Sequence, residues 1–314
     1  MSFKKFRRAI CGVALAAAVG TAAALSGCTI ETSHPGAEVT IQFNGETYVL
    51  EYTLYRNMYP QTVRHFMELA EAGFYDNTII HDYTSNDWYG GGYAYGEEYS
   101  TYYADNAMDD YLNDEAYYKE DDYMSLFNGG KLTPTVYTGY ALDDEGNLIA
   151  DEATAYPTLI GEFSDNDHTV ENGQRGAEFG ALKMYYTDKV INNIAEAHVF
   201  VKTGSGQLLE HDYADNCATS LFALQVSSGT SLTNSKYATF AYLADEQSED
   251  VLNDLLDAIE TYIDDEYNGT EADFVTDVGA EVDRYEEIAE QATSVSYSVT
   301  SMPIIIKTVK ITKY

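Results

Sequence analysis

The stretch MYPQTVRHFMELAEAGFYDNTIIHDYTSNDWYGGG, from Met58 to Gly92, decides how this chain of 314 residues folds. Its first half predicts an amphipathic helix. Pro60 suits the first turn of a helix, and apolar side chains recur behind it at i, i+3, i+4 and i+7. Those apolar residues are Val63, Phe66, Met67 and Ala70. Gly73 stands where a helix commonly ends in a left-handed residue. The second half predicts a turn, a short β-branched strand over Thr78 to His81 and a glycine-rich loop.

The residues before this helix predict a β-hairpin. Glu38 to Phe43 alternates apolar and polar side chains, which is the period of a half-buried strand. Asn44-Gly45 follows, and this pair is the strongest short signal for a two-residue hairpin turn. Tyr48 to Tyr55 is then the expected return strand.

The last part of the sequence predicts one long helix and one strand. Ser248 is a suitable N-cap for a helix with one apolar face. That face consists of Val251, Leu252, Leu255, Leu256, Ile259 and Ile263. Glu266 to Ser294 is acidic and typical of a loop, with a second helix expected over Val282 to Ala292. Pro303 to Ile311 is expected to be a closing strand.

A segment rich in tyrosine and acidic residues, about residues 93–156, interrupts this pattern. From Tyr93 to Tyr123 it holds nine tyrosines, ten acidic residues and no apolar period. We expect a partly ordered insertion. A surface adhesin or a cation-binding protein is one interpretation of it, and a merely solvated surface is the favoured one. Asp143 to Asn147 is the expected tip of a hairpin, because its glycine is not at the sixth place of a helix-loop-helix calcium site.

The N-terminus has the form of a bacterial secretory signal. Four basic residues precede an apolar run, and Leu25-Ser26-Gly27-Cys28 resembles the lipobox of bacterial lipoproteins. This resemblance implies cleavage before Cys28 and a lipid on its sulfur; a plain signal peptide and a short membrane anchor are the alternatives. The expected organisation is a signal peptide over residues 1–27, lipidated Cys28 with a tether over 28–37, and one exported domain over 38–314 that faces outside the cytoplasm.

The charge of the chain limits its partners. Seventeen Lys and Arg stand against 52 Asp and Glu, which gives a net charge of −35. Such a surface repels nucleic-acid phosphates, so nucleic-acid binding is not expected. The histidines and cysteines show no metal-ligand spacing, and no metal site is predicted.

Met58 to Gly92 resembles the N-terminal signature of the cyclophilin family of peptidyl-prolyl isomerases. The matching residues are Pro60, Thr62, Val63, Phe66, Gly73, Phe74, Tyr75, His81, Gly91 and Gly92. Later matches are Ile160, Gly161, Glu162, Phe163, Asn166, Arg175, Gly176, Ala181, Ser220, Phe222, Leu232, Tyr237 and Phe240. The resemblance implies a mainly β fold: a closed antiparallel β-barrel with two capping α-helices, here with the large Tyr/Asp-rich insertion.

The resemblance also implies cis-trans isomerisation at proline, without a cofactor, in proline-containing peptides or unfolded exported proteins. In the family, an arginine hydrogen-bonds near the prolyl nitrogen and an apolar pocket holds the proline ring. The corresponding groove positions here are His81, Asp82, Trp88, Gly90, Ala181, Leu182, Phe222, Ala223, Leu232 and Tyr237.

Asp82 occupies the position of the family's arginine. An ionised carboxylate accepts hydrogen bonds and has none to donate, so the catalytic residue is unknown. Two hypotheses follow: an isomerase of reduced activity, or a cyclophilin-like lipoprotein that binds peptides or partner proteins without catalysis. Arg64 and Lys183 are the candidates for a replacement donor.

Overall fold

The structure is a computed structural model, and it describes selected parts of the chain. These are residues 33–93, 125–126, 138–142, 148–155, 159–164, 168–170, 175–176, 178–185, 198–202, 208–212, 217–218, 220–228, 237–282 and 293–314. The chain divides into two compact units, Met1–Ser33 and His34–Tyr314, and the elements below all belong to the second. Cys28, Asn166 and Leu232 lie outside the described residues.

Most of the regular structure is strand. The strands are β1 Gly36–Phe43, β2 Glu46–Leu54, β3 Thr78–Ile79, β4 Asp82–Tyr83, β5 Asp87–Gly90, β6 Thr138–Leu142, β7 Leu148–Ala155, β8 Leu159–Ile160, β9 Leu182–Tyr185, β10 His198–Lys202, β11 Leu208–Asp212, β12 Cys217–Ala218, β13 Phe222–Gln225, β14 Tyr237–Leu243, β15 Val275–Val282, β16 Thr293–Thr300 and β17 Ile305–Lys313. Among the described residues, the helices of four residues or more are α1 Pro60–Glu71, α2 Glu246–Tyr267 and the single turn α3 Glu271–Phe274.

The main sheet has nine antiparallel strands in the order β3-β17-β1-β2-β14-β9-β13-β5-β4. Its two edge strands, β3 and β4, are separated along the chain only by Ile80 and His81, which brings the two edges of the sheet towards each other. The sheet is therefore curled into a half-barrel, and the prediction of a mainly β antiparallel fold is confirmed. The finer prediction, a closed barrel, is not shown by the strand pairing.

The N-terminal hairpin forms as its sequence predicts. β1 pairs with β2 so that Phe43 faces Glu46, which leaves a loop of two residues. Asn44 and Gly45 both have positive φ, 45° and 84°, as a type I′ turn requires. The alternate residues of β1, including Val39, are buried under the sheet.

Helix α1 packs in the hollow of the half-barrel. Pro60 is in its first turn, and Gly73, with φ of +71°, follows its end, so both sequence predictions for the helix ends are confirmed. The Glu162 carboxylate accepts hydrogen bonds from the backbone N–H of Gln61 and of Thr62, the latter at 2.8 Å. Glu162 is only 4% exposed. This acid compensates the positive end of the helix, which has no capping side chain of its own at Tyr59.

Helix α2 begins three residues earlier than a cap at Ser248 would place it. Asp245 is the N-cap, and its carboxylate accepts the Ser248 backbone N–H at 2.9 Å. The Ser248 hydroxyl donates to the same carboxylate at 3.0 Å and accepts the Glu51 N–H at 3.2 Å. Ser248 therefore joins α2 to β2 from inside the first turn of the helix, and the predicted cap is wrong. The apolar face is confirmed, with Leu252, Leu255, Ile259 and Ile263 buried.

The acidic segment after α2 differs from its prediction. The sequence predicts loop and helix, but β15 and β16 pair over eight rungs, from Val275 opposite Thr300 to Val282 opposite Thr293. We call this two-stranded element the β15–β16 ribbon. Of the predicted helix, Val282 lies in β15, and residues 283–292 are outside the described part of the chain.

The Tyr/Asp-rich insertion contributes strands to a separate four-stranded sheet, ordered β11-β10-β6-β7. Leu142 pairs with Leu148, as expected for the strands of a hairpin, whose tip over Asp143 to Asn147 lies outside the described residues. Tyr93, at the start of the insertion, is fully buried. Among the described residues, no helix is long and apolar enough to cross a membrane.

Candidate functional site

The two faces of the main sheet differ in chemistry around strands β5, β9 and β13. Trp88, Leu182 and Leu224 point into the hydrophobic core together with α1. Because side chains alternate along a strand, their neighbours point to the opposite face. We call this opposite face the outer face. Its residues on these strands and on the adjacent β4 and β14 include Asp82, Asp87, Tyr89, Lys183, Ala223, Gln225 and Tyr237.

The centre of the outer face is a buried ion pair. Lys183 Nζ contacts Asp87 Oδ1, and the residues are 0% and 4% exposed. The pair spans β13, where the small side chain of Ala223 leaves room for the lysine stem. Gln225 Oε1 lies 3.5 Å from Nζ, and its Nε2 donates to Ser227 O at 2.9 Å. Burial lowers the pKa of Lys183, and the hydrogen bond and charge of Asp87 partly oppose that shift.

Two tyrosines border this ion pair. Tyr89 and Tyr237 are hydrogen-bonded to each other through their side chains. Lys183 Nζ lies 5.6 Å from the centroid of the Tyr237 ring. Burial raises the pKa of both phenols, and the negative charge of Asp87 raises the pKa of both further. Both phenols therefore stay protonated near neutral pH and offer hydroxyl groups without charge.

A short turn fixes Asp87 at the start of β5. The Thr84 hydroxyl accepts the Asp87 N–H at 3.0 Å and donates to the Asp87 carbonyl at 2.8 Å. Val226 N donates to Asn86 O at 2.9 Å, and Ser227 Oγ donates to Asn86 Oδ1 at 3.0 Å. These hydrogen bonds hold the short turn before β5 in place and so position the Asp87 carboxylate next to the Lys183 ammonium.

Asp82 lies on the same outer face, at the edge strand β4, opposite Tyr89. It is 8% exposed, and its Oδ1 accepts the backbone N–H of Ser298 at 3.0 Å. Ser298 belongs to the β15–β16 ribbon, so Asp82, which the sequence resemblance predicts to stand at the family's arginine position, is hydrogen-bonded to a backbone amide of this chain. No local sequence signal predicts this contact, because the two residues are 216 positions apart.

The other predicted groove residues are divided between the two faces. Trp88 is 0% exposed and stacks on Tyr83 with 5.5 Å between the ring centroids, so it is a core residue and not an exposed aromatic on a loop. Gly90 also lies at the core side, because a Cβ there would be 3.0 Å from Ile80 Cδ1. Buried residues at the remaining positions are His81, which lies 4.3 Å from the Tyr93 ring, and Ala181, Leu182, Phe222 and Ala223. Tyr237 is partly buried beside Lys183.

The two candidates for the hydrogen-bond donor to the prolyl amide lie in different environments. Arg64 is on α1, where its exposed side chain pairs with Glu68 at 3.9 Å. Lys183 is at the centre of the outer face and is engaged by Asp87. The sequence signal for a buried Lys183 is a charged residue inside the apolar run Ala181 to Met184. Its partner Asp87 has no comparable signal. In the described parts of the chain, no group of three His, Cys, Asp or Glu side chains could hold a metal ion.

Comparison with known proteins decides the family. The sequence model of the family "Cyclophilin type peptidyl-prolyl cis-trans isomerase/CLD" matches residues 39–272, about three quarters of the chain. The chain belongs to the cyclophilin family. The match covers β1 through α2 of this cyclophilin, and both the β15–β16 ribbon and β17 follow the matched region.

Solved cyclophilin structures also resemble this cyclophilin at low identity. A Cryptosporidium parvum cyclophilin-type isomerase, crystallised in the presence of the dipeptide Ala-Pro, is 14% identical with a TM-score of 0.36, over 89% of this chain and 99% of that chain. The Mimivirus cyclophilin is 13% identical with a TM-score of 0.32, over 71% of this chain and 77% of that one. The search of curated proteins returned no significant match.

Proposed function

We propose that the protein is a peptidyl-prolyl cis-trans isomerase of low activity that binds proline-containing segments of exported proteins. The observation that carries the proposal is the family match over residues 39–272. The low activity is proposed because the sequence resemblance aligns Asp82 with the family's arginine. Isomerisation needs a site that holds the twisted amide more strongly than the planar one. No covalent step or cofactor is required.

The chemistry of Asp82 supports a low rate. The uncatalysed barrier to rotation about an X-Pro bond is about 20 kcal/mol. A hydrogen bond to the prolyl nitrogen weakens the amide resonance, and an ionised carboxylate cannot supply it. Loss of one preorganised donor costs about 3–4 kcal/mol at comparable catalytic sites, or a factor of a hundred or more in rate. Lys183 does not restore the donor directly, because its ammonium is buried against Asp87.

An isomerisation assay on a proline tetrapeptide tests this proposal. We expect the protein to accelerate isomerisation at least about a hundredfold less than a cyclophilin that carries the arginine, assayed beside it. Equal rates for the two proteins would refute the assigned role of position 82. Substitution of Lys183 and of Arg64, one at a time, would then identify the donor.

Binding without catalysis is the second candidate. The hydrogen bond between Asp82 and Ser298 N favours it, since the carboxylate is already engaged by the chain's own backbone. A titration of the same tetrapeptide distinguishes the two: saturable binding with no acceleration at saturating protein supports a peptide-binding cyclophilin homologue. Acceleration in proportion to the bound fraction supports the enzyme.

We further propose that the protein is an exported lipoprotein anchored through Cys28 and that its curled sheet belongs to a closed barrel. The lipobox-like Leu25 to Cys28 and the basic residues before the apolar run support the anchor. The short separation of β3 from β4 along the chain supports the barrel. The acidic Tyr-rich insertion remains a proposed surface element, with the adhesin or cation-binding role as its alternative.

A further inference from the structure

The β15–β16 ribbon is firmly attached at its base. Phe274, immediately before β15, is fully buried and lies edge-on to Phe43 and Tyr83, at centroid distances of 6.4 and 5.8 Å. Ser301, immediately after β16, donates its backbone N–H to Phe274 O at 2.8 Å. The first rungs of the ribbon therefore have a fixed direction, set by the core under α2.

A second contact joins the ribbon to the edge strand β4. Ser298 N donates to Asp82 Oδ1 at 3.0 Å, while the Ser298 hydroxyl donates to Asp277 Oδ1 at 2.9 Å. Ser298 faces Asp277 within the ribbon. Because its N–H is directed at Asp82, that N–H is not part of the ladder between β15 and β16.

The ribbon thus lies over the outer face at one particular position. The side chain of Asp82 is on the outer face, since its cross-strand partner Tyr89 is there and the next pair, Tyr83 with Trp88, points into the core. Asp82 is only 8% exposed. A peptide chain that is to lie against this position must first displace the backbone of β16.

We propose that the β15–β16 ribbon competes with proline-containing peptides for the outer face at Asp82, so that the chain inhibits its own peptide site. The inference rests on the proposed peptide binding and names how that site is regulated. The backbone of β16 lies over Asp82 and is held there by the hydrogen bond from Ser298 N. A bound peptide needs the same space, so the two occupants exclude each other.

Competition makes two measurable predictions. Weakening the ribbon contact must strengthen peptide binding, because the apparent dissociation constant is the intrinsic one divided by the fraction of open molecules. By reciprocity, a saturating peptide must loosen the ribbon in the wild type. A ribbon that instead formed a wall of the groove would show the opposite sign in both measurements.

The experiment compares four forms of the full chain: wild type, Asp82→Ala, Asp82→Asn and Ser298→Ala. Asp82→Ala removes the acceptor, and Asp82→Asn keeps an acceptor oxygen. Ser298→Ala is the matched control, because it loses the bond to Asp277 but keeps the N–H that Asp82 accepts. Hydrogen exchange over residues 293–300 reports on the ribbon, and fluorescence titration of a labelled proline tetrapeptide reports on binding.

We expect Asp82→Ala to speed exchange in β16 and to tighten tetrapeptide binding, each by about tenfold, the typical effect of one hydrogen bond to a charged group. Asp82→Asn should lie between it and the wild type, Ser298→Ala should match the wild type, and saturating tetrapeptide should speed β16 exchange in the wild type. Faster exchange in Asp82→Ala with unchanged or weaker binding overturns the competition and leaves peptide binding intact. Unchanged exchange in Asp82→Ala overturns the contact itself. Absence of tetrapeptide binding by every form overturns the proposed function.

Discussion

Removal of the buried lysine from the outer face is the most direct test of how this sheet is built. In Lys183→Met, the methionine fills most of the space of the lysine stem but leaves the Asp87 carboxylate without its cation. Asp87 is 4% exposed and Lys183 is fully buried, so water cannot take over the lost interaction. Breaking a buried pair by removal of one partner costs about 3–5 kcal/mol in free energy of unfolding.

The double variant Lys183→Met/Asp87→Leu tests whether the loss of stability comes from the unpaired carboxylate. With both charges removed, the desolvation cost of each disappears together with their attraction, and buried pairs replaced in this way are often neutral or more stable by about 1–4 kcal/mol. We therefore expect the double variant to be at least as stable as the wild type. The two substitutions are then coupled by at least about 3 kcal/mol, because the carboxylate destabilises the fold only when the lysine is absent.

Urea unfolding followed by circular dichroism measures these differences, provided that the slope of the transition is unchanged between variants. Lys310→Met is the matched control. Its side chain is 71% exposed, and its ammonium lies 3.8 Å from Glu38, so it should cost less than about 1 kcal/mol. Equal, small effects of Lys183→Met and Lys310→Met would refute the burial of the Lys183–Asp87 pair. A double variant as unstable as Lys183→Met would refute the coupling.

Three further predictions concern the core, the second helix and the anchor. Trp88→Ala should lower the free energy of unfolding by about 3–5 kcal/mol in urea unfolding. If the variant instead had wild-type stability and bound the tetrapeptide weakly, Trp88 would be a groove residue. Asp245→Ala should cost about 1 kcal/mol in the same assay, and Asp245→Asn much less, because asparagine also caps helices; equal losses would contradict the cap. Cys28→Ala should release the protein from the membrane fraction or leave its precursor uncut, as fractionation and intact mass will show. Mature Cys28→Ala protein that still sediments with membranes would contradict lipidation.

Local sequence signals predicted the first part of the fold. The Asn44-Gly45 turn and the ends of α1 depend on residues within a few positions of one another, and backbone geometry alone restricts the choices there. The cap of α2 shows the limit of such signals. Asp245 and Ser248 are both good capping residues three positions apart, and the contact that assigns Ser248 to the first turn comes from Glu51 on another strand.

The ribbon and the ion pair could not be predicted in this way. β15 lacks the apolar alternation of a half-buried strand. β16 has it at Val295, Tyr297 and Val299, but nothing local indicates its partner strand. The ribbon is joined to the rest of the fold through Phe274 and Asp82, which are distant in sequence. Lys183 and Asp87 are 96 residues apart. The family resemblance predicts Trp88 at the groove, but the pairing of β4 with β5 turns it towards Tyr83 and the core.

The position of β17 in the main sheet has a consequence for how the chain acquires its structure. β17 lies between β3 and β1, and about 260 residues separate it from the end of β1. Pairings of such long range close late, because the entropy of a large loop has to be overcome first. Until β17 arrives, β1 and β3 have open backbone edges that can pair with other chains. The newly made polypeptide should therefore pass through an aggregation-prone intermediate, and refolding should take milliseconds to seconds or longer. A variant truncated before Ile305 should be recovered in inclusion bodies.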